Sequence, residues 1–187
     1  MLYIFAMDVT SDKNSLAYPM SGSDIKSFFN DRIKIIIYSD IDNIETLDEL
    51  LAPYDKVVIL FEVFGKGCGH WCGLKRIKGT NKVIFFDPYG LIIENEINYI
   101  PFSIMKLTDA RKGYLLRLLH QPKYDIYYSQ YRLQKLKKDI STCGKWVCQF
   151  LSCDDLNENQ FAKLFLDQKK NGISPDKIVN ELMRGMF

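Results

Sequence analysis

Apolar and polar positions follow two different rhythms along this chain. In the first two-thirds, short apolar runs rich in β-branched and aromatic residues alternate with turn residues. Lys34 to Tyr38, Lys56 to Val63, Trp71 to Ile77, Lys82 to Phe86 and Tyr124 to Tyr128 read as strands. Lys78-Gly79-Thr80-Asn81 reads as the turn of a hairpin joining the third and fourth. In the last third the spacing becomes helical. One helix runs from about Cys143 to Cys153, and Asn157 with Gln160 forms a capping-box pattern for a helix ending near Gly172. Ser174-Pro175 opens the last helix with proline at its first position. Ser21 or Ser23 caps a short helix from Asp24 to Asn30, and Thr46 to Leu51 forms another, ended by Pro53. Thr108 is placed to cap a helix through Leu119, with Leu115, Leu118 and Leu119 on one face and Pro122 beyond its end. Strands first and helices last predict an α+β fold: a mostly antiparallel central sheet flanked by helices, in one domain over residues 1–187.

Composition narrows the function classes. Hydrophobic residues make up 47% and charged residues 26% of 187, ordinary for a globular protein that buries a real core. A net charge of +2 is too small to indicate a nucleic-acid binder by itself. No run approaches 18 apolar residues, which excludes a helical membrane span, and Met1-Leu-Tyr-Ile-Phe-Ala-Met-Asp8 lacks the basic start of a secretory signal. Five cysteines, an odd number without framework spacing, point to free thiols in a reducing compartment.

Four polar residues stand out against this background. Cys143 follows two cap-forming residues, Ser141-Thr142, and opens a helical pattern, where unpaired N–H groups and the helix dipole favour a thiolate. Gly144 leaves room beside the sulfur for a carbonyl. His70 sits where the loop Gly65-Lys66-Gly67-Cys68-Gly69 meets a strand, a suitable place for a base. The other histidine, His120, is explained as a helix C-terminal cap. Asp87 ends the strand that follows the hairpin turn, so an antiparallel ladder brings it to His70, where a carboxylate fixes the imidazole tautomer. Gln134 is a candidate amide donor for an oxyanion, with Gln130 and Gln149 as competitors. Each has a plain alternative: a core cysteine, a backbone-satisfied loop histidine, a turn aspartate, a surface glutamine. Together they describe a cysteine hydrolase.

The motifs Gly69-His70-Trp71, Phe85-Phe86-Asp87-Pro88-Tyr89-Gly90, Gln134 and Thr142-Cys143-Gly144 resemble those of the adenovirus-type maturation proteases and of the wider clan that includes the ubiquitin-like-protein proteases. Met20-Ser-Gly-Ser-Asp24-Ile resembles the opening of related proteases from virophages, Polinton-type elements and large DNA viruses. The resemblance implies the adenain-like fold, with His70 as base, Asp87 as its partner, Gln134 as oxyanion donor and Cys143 as nucleophile. Gly69, Trp71 and Gly144 would line the substrate cleft. It implies cleavage after small residues in capsid or core precursors and a location in the virion or in the virus factory of the host cytoplasm; the four-residue site itself calls for no cofactor and no metal, although some adenovirus-type proteases use DNA as a cofactor.

Other classes stay open. The same four residues would serve an isopeptidase that removes ubiquitin or a similar modifier. Cys68, His70 and Cys72 alternate on one strand and raise a zinc-binding assembly module, although Cys68 and Cys72 would lie about 13 Å apart in an extended strand. Arg132, Lys135, Lys137, Lys138 and Lys145 form a basic cluster that a polyanion such as DNA could contact, or simply a solvated loop.

Overall fold

The strands Lys34–Ile37 (β1), Lys56–Gly65 (β2), Cys68–Arg76 (β3), Lys82–Phe86 (β4) and Asp125–Tyr128 (β5) hydrogen-bond in chain order into one sheet. The structure, a computed structural model, describes residues 14–186, so the reading of Met1 to Asp8 lies outside the described residues. β2, β3 and β4 pair antiparallel, as consecutive hairpin strands must, whereas β1–β2 and β4–β5 are parallel. The parallel edges follow from the connections: intervening segments carry the chain back across the sheet before it re-enters.

Alternation along the strands divides the apolar residues between two faces. Val58, Leu60, Trp71, Ile84 and Phe86 face one core, completed by the helices Cys143–Ser152 (α5), Glu158–Lys170 (α6) and Pro175–Leu182 (α7), with the short helix Gly22–Phe28 (α1) beside them. Val57, Ile59, Phe61, Cys72, Leu74, Val83 and Phe85 face the other, covered by Leu47–Leu51 (α2), Phe102–Thr108 (α3), Tyr114–Leu119 (α4) and two 3₁₀ turns, Tyr38–Asn43 and Asn95–Tyr99. The expected α+β arrangement, a central sheet flanked by helices, is therefore present, with antiparallel pairing confined to β2, β3 and β4 and parallel pairing at both edges.

Local signals placed most ends. Ser21 and Asp24 exchange side-chain and backbone hydrogen bonds in a capping box at α1, and Asn157 with Gln160 does so at α6. Two expectations need correction. Tyr38 leaves the strand for a 3₁₀ turn and donates its hydroxyl to the Arg111 carbonyl at 2.7 Å. Thr108 closes a helix rather than opening one: its hydroxyl donates to the Ile104 carbonyl at 2.9 Å. The helix behind it is α4, whose N-terminus is capped by Glu94, accepting from the N–H groups of Gly113, Leu115 and Leu116. A cap about twenty residues away in sequence leaves no local signature.

Candidate active site

The site forms where β4 stops and β3 continues. The β3–β4 ladder runs from Arg76↔Val83 to Gly73↔Phe86, while β3 stays paired to β2 as far as Phe61↔His70 and, beyond a bulge, Gly65↔Cys68. Pro88 has no N–H to extend the ladder. The chain instead turns through Asp87-Pro88-Tyr89-Gly90, with Gly90 N–H donating to the Asp87 carbonyl and Tyr89 N–H to Asp87 Oδ1 at 2.8 Å. Gly90 has φ +70°, and a Cβ there would lie 2.9 Å from the Tyr131 carbonyl carbon. His70 projects from the overhanging stretch of β3, two residues from the position opposite Asp87, and its Nε2 lies 2.8 Å from Asp87 Oδ1. The Tyr89 ring stacks on the imidazole at 4.7 Å.

Cys143, the first residue of α5, sits where His70 and the backbone N–H groups of Trp71 and Gly144 all act on its thiol. Because Nε2 is committed to Asp87, the ring offers Nδ1 to the sulfur. All three side chains are nearly inaccessible to solvent. Burial opposes charge on His70, but the charge and hydrogen bond of Asp87, with the Cys143 sulfur, outweigh it and push the imidazole up to about 10. Burial likewise raises a thiol, yet the His70 contact and the two N–H groups hold Cys143 below its ordinary 9.0. Both shifts favour a thiolate–imidazolium pair.

Gln134 is buried nearby, but its amide nitrogen is committed to the Tyr89 hydroxyl at 3.1 Å and, weakly, to the Ile140 carbonyl at 3.5 Å, leaving Oε1 without a partner among the described residues. Its competitors lie elsewhere: Gln130 is exposed, and Gln149 donates to Met183 Sδ. The three residues expected to line a cleft have packing roles. Trp71 is buried and donates its indole N–H to the Met20 carbonyl at 2.8 Å. A Cβ on Gly144 would sit 2.8 Å from Met20 Cβ and 3.3 Å from Trp71 Cδ1, so the space expected for a substrate carbonyl is already filled. A Cβ on Gly69 would overlap the Phe61 carbonyl, so glycine here lets β2 and β3 meet. His120 caps α4, its Nδ1 2.7 Å from the Leu116 carbonyl.

Of the zinc candidates, Cys68 is exposed and outside the site. The donor atoms of His70, Cys72 and Asp87 do lie within 4.8 Å of one another. They already have other partners: His70 Nε2 pairs with Asp87 Oδ1, and the Cys72 thiol donates to Glu96 Oε1, with burial, then the charges of Glu96 and Asp87, raising that thiol well above its ordinary value. The basic cluster loses Lys145, which is buried and donates to the Ser15 carbonyl and Asn180 Oδ1. Arg132, Lys135, Lys137 and Lys138 remain exposed.

Three supports were invisible in the sequence. Asp176 in α7 is fully buried and accepts from Thr142 Oγ1 (2.7 Å), Trp146 Nε1 (3.2 Å) and the Lys135 N–H (3.0 Å), tying both the nucleophile and the segment carrying Gln134 to α7. Lys75, buried on β3, donates to the Phe150 and Cys153 carbonyls and so fixes the opposite end of α5. Glu96 approaches Asp87 from the second 3₁₀ turn. The only signals for them were an aspartate after Ser174-Pro175, a lysine interrupting a strand and an acid in an apolar stretch.

The five-stranded sheet with helices on both faces is a fold already seen in a solved protease structure. The crystal structure of Se-Met ASFV pS273R protease superposes with a TM-score of 0.52 over 90% of this chain and 69% of that one, at 12% identity, which establishes the shared fold. No family model matches the sequence. In sequence, the chain is 32% identical over 161 residues to "Uncharacterized protein V9" of Sputnik virophage, covering 86% of this chain and 91% of that protein. The chain belongs to the family of that virophage protein.

Proposed function

We propose that this chain is a viral cysteine endopeptidase that cuts capsid or core precursors after small residues, glycine above all, during virion maturation. The observation that supports it most is the contact of the Cys143 sulfur with His70, itself held by Asp87, assembled from segments 73 residues apart in sequence. The thiolate attacks the scissile carbonyl carbon, forming a C–S bond as the carbonyl electrons move to oxygen. Collapse of that intermediate breaks the C–N bond, and His70 delivers its Nδ1 proton to the leaving amine. Water then attacks the thioester, giving a proton to His70, and the acid leaves with Cys143 restored as thiolate. Asp87 accepts the Nε2–H throughout and keeps the ring in place.

The oxyanion is held by N–H groups of the first turn of α5, which have no carbonyl partner inside the helix, together with Gln134. A half-turn of the Gln134 amide lets Tyr89 donate to Oε1 and frees the N–H₂ group for the substrate. Basic residues Arg132, Lys135, Lys137 and Lys138 provide a surface for nucleic acid packaged with the substrate.

The test is cleavage of the major capsid and core precursors of the same virus by purified protein. Cys143→Ala and His70→Ala should fold and lose cleavage by at least about a thousandfold, and iodoacetamide should modify Cys143 ahead of the other four thiols near neutral pH. Rapid labelling by a ubiquitin vinyl sulfone, with precursors left intact, would reassign the chain as an isopeptidase. Equal, slow alkylation of all the thiols would leave an assembly module as the better account.

A further inference from the structure

Two carboxyl groups meet in the interior behind His70. Asp87 is fully buried; its Oδ1 is used twice, by His70 Nε2 and the Tyr89 N–H, while its buried Oδ2 has no hydrogen-bond partner among the described residues. Glu96 is also buried; its Oε1 accepts the Cys72 thiol, and its Oε2 is the second buried oxygen in the same condition. The Cys72 sulfur, 3.5 Å from Glu96 Oε1, also lies within 4.8 Å of an Asp87 carboxylate oxygen, so the two carboxyl groups are neighbours. Two ionised carboxylates carry only acceptors, so both orphaned oxygens are explained if one proton lies between them.

The backbone makes this pairing deliberate. Glu94, in a left-handed conformation at φ 63°, turns towards α4 and accepts three backbone N–H groups. Two residues later Glu96, on the 3₁₀ turn, has fewer donors: its own backbone N–H, which favours the ionised form, and the Cys72 thiol. The titratable groups facing it are Asp87 at the end of β4 and Cys72 and His70 on β3, while β2 contributes apolar Ile59 and Phe61 to the surrounding cluster.

We propose that Glu96 is a positioning residue: a neutral carboxylic acid that donates its proton to Asp87 Oδ2, locking the carboxylate so that Oδ1 faces His70. This role rests on the reading of Cys143 as the nucleophile. With Glu96 neutral, the chain Glu96–Asp87–His70–Cys143 carries one imidazolium, one carboxylate and one thiolate; ionising Glu96 sets two carboxylates against each other. Burial first, then the charge of Asp87, pushes the Glu96 carboxyl up to about 8, in the direction this arrangement requires.

The readouts need no protein substrate, so they stand apart from whether the chain cleaves a precursor. Infrared spectra of the folded protein near neutral pH should contain the C=O stretch of a protonated carboxylic acid, and Glu96→Gln should abolish it. Iodoacetamide modification of Cys143, followed by mass spectrometry, gives the second readout. Glu96→Ala should slow it roughly tenfold or more, the worth of one hydrogen bond to a charged acceptor. Glu96→Gln, which offers an N–H where the acid offered an O–H, should recover most of that loss. Above the pH at which Glu96 ionises the wild-type rate should decline, and the Glu96→Gln rate should not. A carboxylic-acid band that survives in Glu96→Gln, or a Gln variant as slow as the Ala variant, overturns the proposal.

Discussion

Replacing Asp176 by alanine removes the one acceptor shared by Thr142, Trp146 and Lys135. A hydrogen bond to a charged group contributes about 1.5–3 kcal/mol, and a buried donor left without a partner costs about 1–3 kcal/mol. The three bonds share a single carboxylate whose own desolvation offsets part of their gain, so they do not add. The expected loss is about 3–5 kcal/mol, a large part of the ~5–15 kcal/mol that holds a domain folded. Asp176→Asn separates donor loss from shape. Its Oδ1 still serves Thr142 and Trp146, but its N–H₂ faces the Lys135 N–H, so only one of the three bonds is lost, at a cost of about 2 kcal/mol. Urea unfolding followed by tryptophan fluorescence measures both, with Cys143 alkylation in the still-folded Asn variant reporting the effect on the site. A cost below about 1 kcal/mol for the alanine variant would mean that solvent or neighbours satisfy the three donors, and that α7 does not hold the nucleophile in place.

Gly144→Ala puts a Cβ against Met20 Cβ and Trp71 Cδ1, and should destabilise by about 1–3 kcal/mol while displacing Cys143 from the Trp71 N–H; unchanged unfolding midpoints and unchanged Cys143 alkylation would argue against that close fit. Stability should also depend on pH through Glu96. Its native carboxyl is raised from an ordinary 4.5 to about 8, so over that interval the native state holds a proton that the unfolded chain has released. Stability contributed by the protonated acid is therefore present at the low end and lost as pH rises, and Glu96→Gln should gain on wild type across the interval. Parallel unfolding curves for the two proteins would refute it.

The strands, the hairpin turn and the helices after Cys143 were legible because each depends on local chemistry: β-branched runs, a Gly-containing turn, Asn157 with Gln160, Pro175 at a helix start. The convergence of His70 and Asp87 was legible for a related reason, since a hairpin fixes which residues face each other. What escaped were interactions that local sequence does not encode. Glu94 caps α4 from a distant segment, so from local sequence alone Thr108 reads as the cap it is not. Lys145 reads as one of a run of surface cations, and only the approach of Ser15 and Asn180 makes it a buried tie. Gly144 reads as space for a substrate, although Met20 fills that space from far earlier in the chain.

The position of the site follows from a constraint on sheets. Neighbouring residues on a strand point to opposite faces, so His70 and Trp71 belong to different sides of β3. The His70 imidazole and the Trp71 backbone N–H nevertheless both act on the Cys143 thiol. That is feasible only where a strand has a free edge, because a paired neighbour would close the gap between the faces. Among the described residues β3 has such an edge only beyond Gly73, after Pro88 has ended β4 and the turn through Gly90 has taken the chain away. The same turn points Asp87 back over the edge and lays Tyr89 on the imidazole. Asp87-Pro88-Tyr89-Gly90 thus sets both the opening and two of the groups that line it. Lengthening β4 by replacing Pro88 with a residue that can donate to the ladder should separate Cys143 from His70 even where the overall fold survives.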